Sequence, residues 1–387
     1  MRVPVPKPAR PLITMWIFAG LLLSAVATVP AAAATEAPSA SSPAGQGCGK
    51  KLLAQSAEAP VLAHYYIWFQ ASSWNRAKSD YPDAGRYSSS QRSIMEEQVA
   101  EAQAAGIDGF IVSWKSSTTL NSRLATLRTV AADHDFKLAI TYEAQDFNRT
   151  PLPVAEVERD LTELADTYAD DPVFHVLGSR PLVALSGTWH YTIDELRAIT
   201  ERVSRRLSVL ATERNVGGYE RVASAVDGDL YYWSSGDPNN PAYREKLQAM
   251  EKTTRAHCGV WVAPVSPGFD GRELGSTRVI DRRDGATLRS SWEAAMATVP
   301  DAIGVISWNQ FSEKTHIEPS TAYGNHYLQT LGKLTGAPPL PTMEPRSNGP
   351  LGAGSPARAA LPVAAAVALV LLVSLLGLRR HLRGDRR

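Results

Sequence analysis

The sequence predicts a (β/α)8 barrel, a single extracellular domain followed by a C-terminal transmembrane helix. Short, near-continuous apolar runs alternate with amphipathic helical patterns between residues 61 and 335. Such runs belong to a parallel sheet buried on both faces. About eight strand–helix pairs in this length match the barrel, which typically takes ~250 residues. A doubly wound open sheet is the alternative, but no G-x-G-x-x-G follows the first run.

The elements follow in order. VLAHYYIWF (61–69) reads as a strand, and SIMEEQVAEAQAAG as an amphipathic helix ending at Gly106. GFIVSW (109–114) is a strand and SRLATLRTVAADHD a helix. KLAITYE (137–143) is a strand and VAEVERDLTELADTYA a helix. PLVALSG (181–187) and TIDELRAITERV form the next pair. RLSVLAT (206–212) reads as a strand, although its length also fits a helix. GDLYYWS (228–234) precedes a helix with Pro241 in its first turn. VWVAPVS (260–266) pairs with LRSSWEAAMATV, and AIGVISWN (302–309) with TAYGNHYLQTLGKL.

The flanks read differently. A basic start, an apolar stretch and AAAATEA predict a signal peptide over 1–35, with an uncleaved anchor as the alternative. Residues 36–60 form an N-terminal extension. Residues 336–360 are rich in Pro, Gly, Ser and Ala, and read as a disordered tether. LPVAAAVALVLLVSLLGL (361–378) has 18 uncharged residues, enough to span a bilayer core. The basic tail 379–387 after it stays on the cytoplasmic side, so the barrel is expected outside a cell membrane that it crosses once. The two cysteines, Cys48 and Cys258, are then free to form a disulfide, with two thiols as the alternative. With 40 basic and 39 acidic residues, nothing suggests a nucleic-acid groove.

Barrel chemistry gathers at the C-terminal strand ends. There the sequence offers Tyr66, Trp68, Trp114, Glu143, Trp189, Tyr232, Trp233, Asp270, Asn309, Gln310 and Glu313. Aromatic faces stack on sugars and carboxylates cleave glycosidic bonds, so a glycan is the expected partner. Each tryptophan has core packing as its alternative. His64, His190 and His316 read as ligand contacts or as structural hydrogen-bonding residues. The chain carries no H-E-x-x-H, C-x-x-C or G-x-S-x-G, and no metal or organic cofactor is implied.

Five motifs in order then resemble one family. HYYIWF is similar to a first-strand YYPWY, and AGIDGFIVSW to the second-strand signature, with Trp114 at its sugar-facing end. LAITYEAQ resembles a third strand ending in a substrate-contacting glutamate, here Glu143. VAPVSPGFDGRE resembles a PGY-type loop, and SWNQFSEKTHIEPS resembles SFNEWHEGTQIEPA. The family is glycoside hydrolase family 99, the endo-α-mannosidases and endo-α-mannanases, with features shared by family 71-like barrels.

The resemblance implies hydrolysis of α-mannan first and α-glucan second. It also implies two glutamates three residues apart, one a base acting through the sugar's 2-hydroxyl and one the acid. The acid matches Glu313, while the base falls on Gln310. An amide is a poor proton acceptor but still holds a hydroxyl. Glu143, and after it Asp270, is the candidate second carboxylate. Tyr66, Trp68, Trp114, Tyr232, Trp233, Asp270 and Asn309 are the expected sugar contacts. The alternative is a barrel that binds a glycan without cutting it. Lys314 is expected to lower the pKa of Glu313, and Glu318 to order the loop before the last helix.

Overall fold

The computed structural model describes residues 59–146 and 148–345. The signal sequence, most of the N-terminal extension with Cys48, residue 147, the end of the tether, the apolar stretch 361–378 and the basic tail lie outside the described residues. Among the described residues no helix is long and apolar enough to cross a membrane.

The chain forms the expected closed barrel. Its strands are β1 (Val61–Tyr66), β2 (Gly109–Trp114), β3 (Lys137–Tyr142), β4 (Leu182–Leu185), β5 (Ser208–Ala211), β6 (Gly228–Leu230) and β7 (Val260–Val265). A small antiparallel ribbon, β8 (Phe269–Asp270) with β9 (Val279–Ile280), precedes the last barrel strand, β10 (Ala302–Val305). All barrel pairs are parallel, and β1 closes on β10 through Val61–Ile303, Leu62–Gly304 and Ala63–Val305. The stretch at 206–212, open between strand and helix, is the strand β5.

The helices are α1 (Arg92–Ala104), α2 (Thr118–Asp133), α3 (Val154–Tyr168), α4 (Ile193–Glu201), α5 (Val216–Val222), α6 (Pro241–Ala256), α7 (Ala286–Met296) and α8 (His326–Thr335). Local chemistry sets several starts. Thr192 and Glu195 form a reciprocal capping box on α4, and Ser117 caps α2. The sequence reading placed no helix at α5. Gly217 and Gly218 are weak helix formers, and the Asn215 side chain starts this short helix by accepting from the Gly218 N–H.

Side-chain alternation divides the core into two layers. Leu62, Ile111, Ala139, Leu182, Ala184, Leu210, Leu230, Val262 and Ala302 fill the barrel interior. Ala63, Tyr65, Phe110, Val112, Leu138, Ile140 and Tyr142 face the surrounding helices. Gly228 has φ +158° and a Cβ there would meet the Val260 carbonyl oxygen at 2.1 Å, so glycine permits the β6–β7 approach.

Residues 340–343, within the stretch read as a tether, are held on the barrel. Leu340 packs on the outer core, and Asn325 ties down the next residues through the Pro341 carbonyl (2.7 Å) and the Met343 N–H (3.0 Å). Extended proline-rich backbone leaves its polar groups free for such contacts.

Candidate active site

Beyond several inner-core positions, alternation turns polar side chains into the barrel mouth. Leu62 leads to His64 and Tyr66, Ile111 to Ser113, Ala139 to Thr141 and Glu143, Ala184 to Ser186, and Leu230 to Tyr232. Glu143 accepts from the Ser113 hydroxyl at 2.9 Å and from the Ser186 hydroxyl at 3.3 Å. The Tyr66 and Tyr232 hydroxyls bond each other at 2.8 Å. His64 lies beneath them, its ring edge-on to Tyr232 at 4.9 Å. Burial drops its pKa to about 3, so it is neutral.

After β10 the chain turns through a short 3-10 helix, Phe311–Glu313. Phe311 is fully buried against Trp74, and Trp308 packs on Phe110. These aromatic anchors set the polar residues between and after them. Glu313 is only partly exposed, and its Oε2 is enclosed with no hydrogen-bond partner among the described residues. Burial pushes its carboxyl up to about 7, opposed by the field of Arg149. Glu143 is also raised by burial, opposed by Ser113, Ser186 and Lys115. Burial raises the Tyr66 and Tyr232 hydroxyls first, and the charges of Glu313 and Glu143 raise both further. Gln310 reaches the same Tyr66 hydroxyl. Two carboxyl groups, an amide and two phenols therefore share one polar mouth.

The family model for glycosyl hydrolase family 71 matches residues 84–331. The chain belongs to glycosyl hydrolase family 71. The resemblance read from its motifs to family 99 and family 71-like glycosidase barrels is thereby shown. It is similar to a glycoprotein endo-alpha-1,2-mannosidase-like protein of Danio rerio, 23% identical over 267 residues, covering 62% of this chain and 59% of that protein. The glycoprotein endo-alpha-1,2-mannosidase of Rattus norvegicus is 20% identical, with 62% and 56% covered. The chain thus spans under two thirds of these relatives' length. The GH99 endo-alpha-mannosidase structure from Bacteroides thetaiotaomicron shares the fold, with a TM-score of 0.63 at 18% identity, covering 70% of this chain and 95% of that one.

In this family 71 barrel several expected sugar contacts have protein partners of their own. Trp114 follows inward-facing Ser113 and so points outward, buried near Tyr142, its indole N–H on Asn121 at 2.9 Å. Trp233 likewise follows inward Tyr232; it stacks on Tyr243 of α6 at 4.7 Å and lies under the Lys246 ammonium. Asn309 is fully buried. It accepts from the Tyr66 N–H (2.8 Å) and donates to the Tyr66 carbonyl (3.1 Å) and the Tyr87 hydroxyl (3.2 Å). Its amide pins the end of β1. Asp270 pairs with Arg272 (2.7 Å) and Lys314 (3.0 Å), which hold its carboxyl well below the usual range. Both its oxygens are engaged by these cations. The same bond turns Lys314 toward Asp270, so the expected lowering of Glu313 by Lys314 is absent and its pKa is raised. Trp68 keeps the expected placement, 38% exposed and tilted against Tyr66 at 4.6 Å.

Glu318 accepts from Gln98 (2.6 Å) and the Tyr87 hydroxyl (3.0 Å) behind β1. His316 bonds Asp80 at 2.9 Å and stacks on Phe311 at 4.0 Å. His190 is exposed in a short turn after β4. Sequence reasoning missed Ser113, Ser186 and Arg149. The two serines were legible from alternation, while Arg149 sits in a loop whose placement no periodicity encodes.

Proposed function

We propose that the chain hydrolyses an α-linked glycan at the barrel mouth, α-mannan in type first and α-glucan second. The observation that carries this is the convergence of Glu313 and Glu143 on the Tyr66–Tyr232 hydroxyl pair. The names of the similar mannosidases support the substrate class.

Glu313 is the acid. With a pKa of about 7 a substantial share of the molecules keeps its proton at neutral pH, as a donor to a leaving glycosidic oxygen requires. As the C–O bond breaks, that proton moves to the leaving sugar and the anomeric carbon becomes electron-poor. Glu143 is the carboxylate facing that charge, and water completes the hydrolysis. Its serine hydrogen bonds fix its orientation and favour its ionised form. Gln310 holds a sugar hydroxyl beside Tyr66, and Trp68 supplies an apolar face.

A second reading, glycan binding without cleavage, is favoured by Gln310 itself, which cannot take a proton. One experiment separates the two. The piece spanning 36–345 is incubated with α-1,2-, α-1,3- and α-1,6-linked mannan and with α-1,3-glucan, and new reducing ends are counted. Hydrolysis predicts ends that fall roughly 10²–10⁴-fold in Glu313→Gln, the usual weight of acid–base catalysis. Binding to one glycan by calorimetry, with no ends from any, establishes the second reading.

The reading extends to placement. A cleaved leader over 1–35 and an apolar span over 361–378 followed by basic residues would hold the barrel outside the membrane. A Cys48–Cys258 disulfide suits that compartment.

A further inference from the structure

The chain leaves the barrel on the side of the mouth. A helix that follows a barrel strand runs back from mouth to base, so α8 ends at the base. There Thr335 Oγ1 donates to the Ala105 carbonyl at 2.8 Å, where α1 ends before β2. The chain then reverses along α8. The Ala337 N–H donates to the Gly332 carbonyl at 2.8 Å, and Gln329 Nε2 to the Leu340 carbonyl at 3.2 Å. Further back, Asn325 holds Pro341 and Met343 with its side chain, and its N–H donates to the Met343 carbonyl at 3.3 Å. Partners that fall from 332 to 325 as the strap rises from 337 to 343 mark an antiparallel return. α8 has 10 residues, so the return covers roughly 15 Å. It ends at Gly324 and Asn325, the close of the loop that carries Glu313.

From there the residues 346–360 lead to the apolar stretch 361–378. A coil of that length spans roughly 20 Å, and about 50 Å at full extension. An anchor attached in this way draws the mouth side of the barrel toward the bilayer. The rim supplies a second observation. The ribbon after β7 exposes Leu274 (52%) and Val279 (44%). It is held in place, with Asp270 on Lys314 at 3.0 Å and Arg278 Nε on the Ser235 carbonyl at 2.5 Å. Its Arg272–Leu274 turn comes within 8 Å, between Cα atoms, of the Phe311–Glu313 turn. Aliphatic side chains fixed in water at a rim are stabilised by contact with lipid. Met296 and Val299 are also exposed, but they lie at the base end of α7, near the start of β7, and the chain does not depart there.

We propose that the mouth faces the bilayer, with Leu274 and Val279 resting on its lipid interface, and that the site takes glycan borne by that membrane. The inference rests on the proposed sugar site and the proposed anchor.

The test reconstitutes the full chain into vesicles that contain an acceptor-labelled lipid. A donor dye is attached at Thr277, on the ribbon, or at Asp170, just past the base end of α3. Energy transfer should be strong from Thr277 and weak from Asp170. Leu274→Asp combined with Val279→Asp should shrink that difference, and Met296→Asp should keep it. In the same vesicles, cleavage or binding of lipid-coupled α-mannan should fall roughly tenfold in the double variant, the weight of withdrawing about one aliphatic side chain from lipid, while free α-mannan is handled as before. Equal transfer from both sites overturns the proposal, as does a difference that the double substitution leaves whole. A chain that does not float with the vesicles sinks the anchor and this inference together. A chain that floats with Asp170 nearer the lipid sinks this inference alone. The distance readout needs no cleavage, so the mouth's orientation stands or falls apart from the hydrolase reading.

Discussion

Glu313 owes its role to two local facts: an oxygen shut away from water and a neighbouring lysine that points elsewhere. Its raised pKa has a definite sign. The proton must be present for cleavage, so kcat/KM should fall as pH rises through about 7, and Glu313→Gln should remove that limb together with the activity. Stability depends on the same group with the same sign. The unfolded carboxyl titrates near 4.5 and the folded one near 7. Between these values the unfolded chain has lost a proton that the folded chain keeps, so stability falls with pH across that window and is level above it. Relative to wild type, Glu313→Gln should gain up to about 3 kcal/mol between pH 4 and pH 8, read by urea unfolding at both. Lys314→Gln tests the neighbour. Because Lys314 serves Asp270, the alkaline limb should stay near its wild-type position while stability drops by roughly 1 kcal/mol or less. A limb that climbs in this variant would restore Lys314 as a direct partner of the acid. The sequence exposed the candidate acid through its motif, but the direction of the lysine depended on an aspartate 44 residues away.

Strands and their following loops are the units that assemble the mouth. The β10 loop reaches back to β1 through Asn309, whose one side chain serves both backbone groups of Tyr66. Tyr87 and Glu318 extend this brace, and Gln98 links it to the Tyr65 hydroxyl at 2.6 Å. The loop is also held from outside, where the buried Arg282 donates to the Lys314 and His316 carbonyls, both at 2.8 Å. Asn309→Ala should therefore lower stability by about 1–3 kcal/mol, the range for leaving buried polar partners unmet. It should also reduce turnover through a displaced Tyr66. Denaturant midpoints and reducing-end rates read the two effects separately, and an unchanged midpoint would argue against the brace. Element identity was legible because the apolar runs and capping residues are local. Facing was less so. Trp114 and Trp233 sit at strand ends as anticipated, but each follows an inward residue and so belongs to the layer under the helices.

At the scale of the whole molecule, closure of the barrel and any covalent tie between its ends set the stability. If Cys48 and Cys258 are joined, the closed loop spans most of the barrel, and chain entropy gives the bond roughly 5 kcal/mol. A non-reducing peptide map of exported protein should contain the linked pair, and Cys258→Ser should lower Tm under oxidising conditions but match wild type in reductant. Two unlinked cysteine peptides would refute the pairing. The sequence by itself determined the barrel, because eight alternations of buried strand and amphipathic helix leave few ways to hide their apolar surface. It also determined the order of the motifs and the identity of the candidate acid, since these are contiguous signals. Only the tertiary structure decided which side of each strand faces the mouth, which carboxylate stays unpaired, and where Arg149 and Lys314 spend their charge. Those outcomes depend on contacts between residues far apart in the chain, and no local period encodes them.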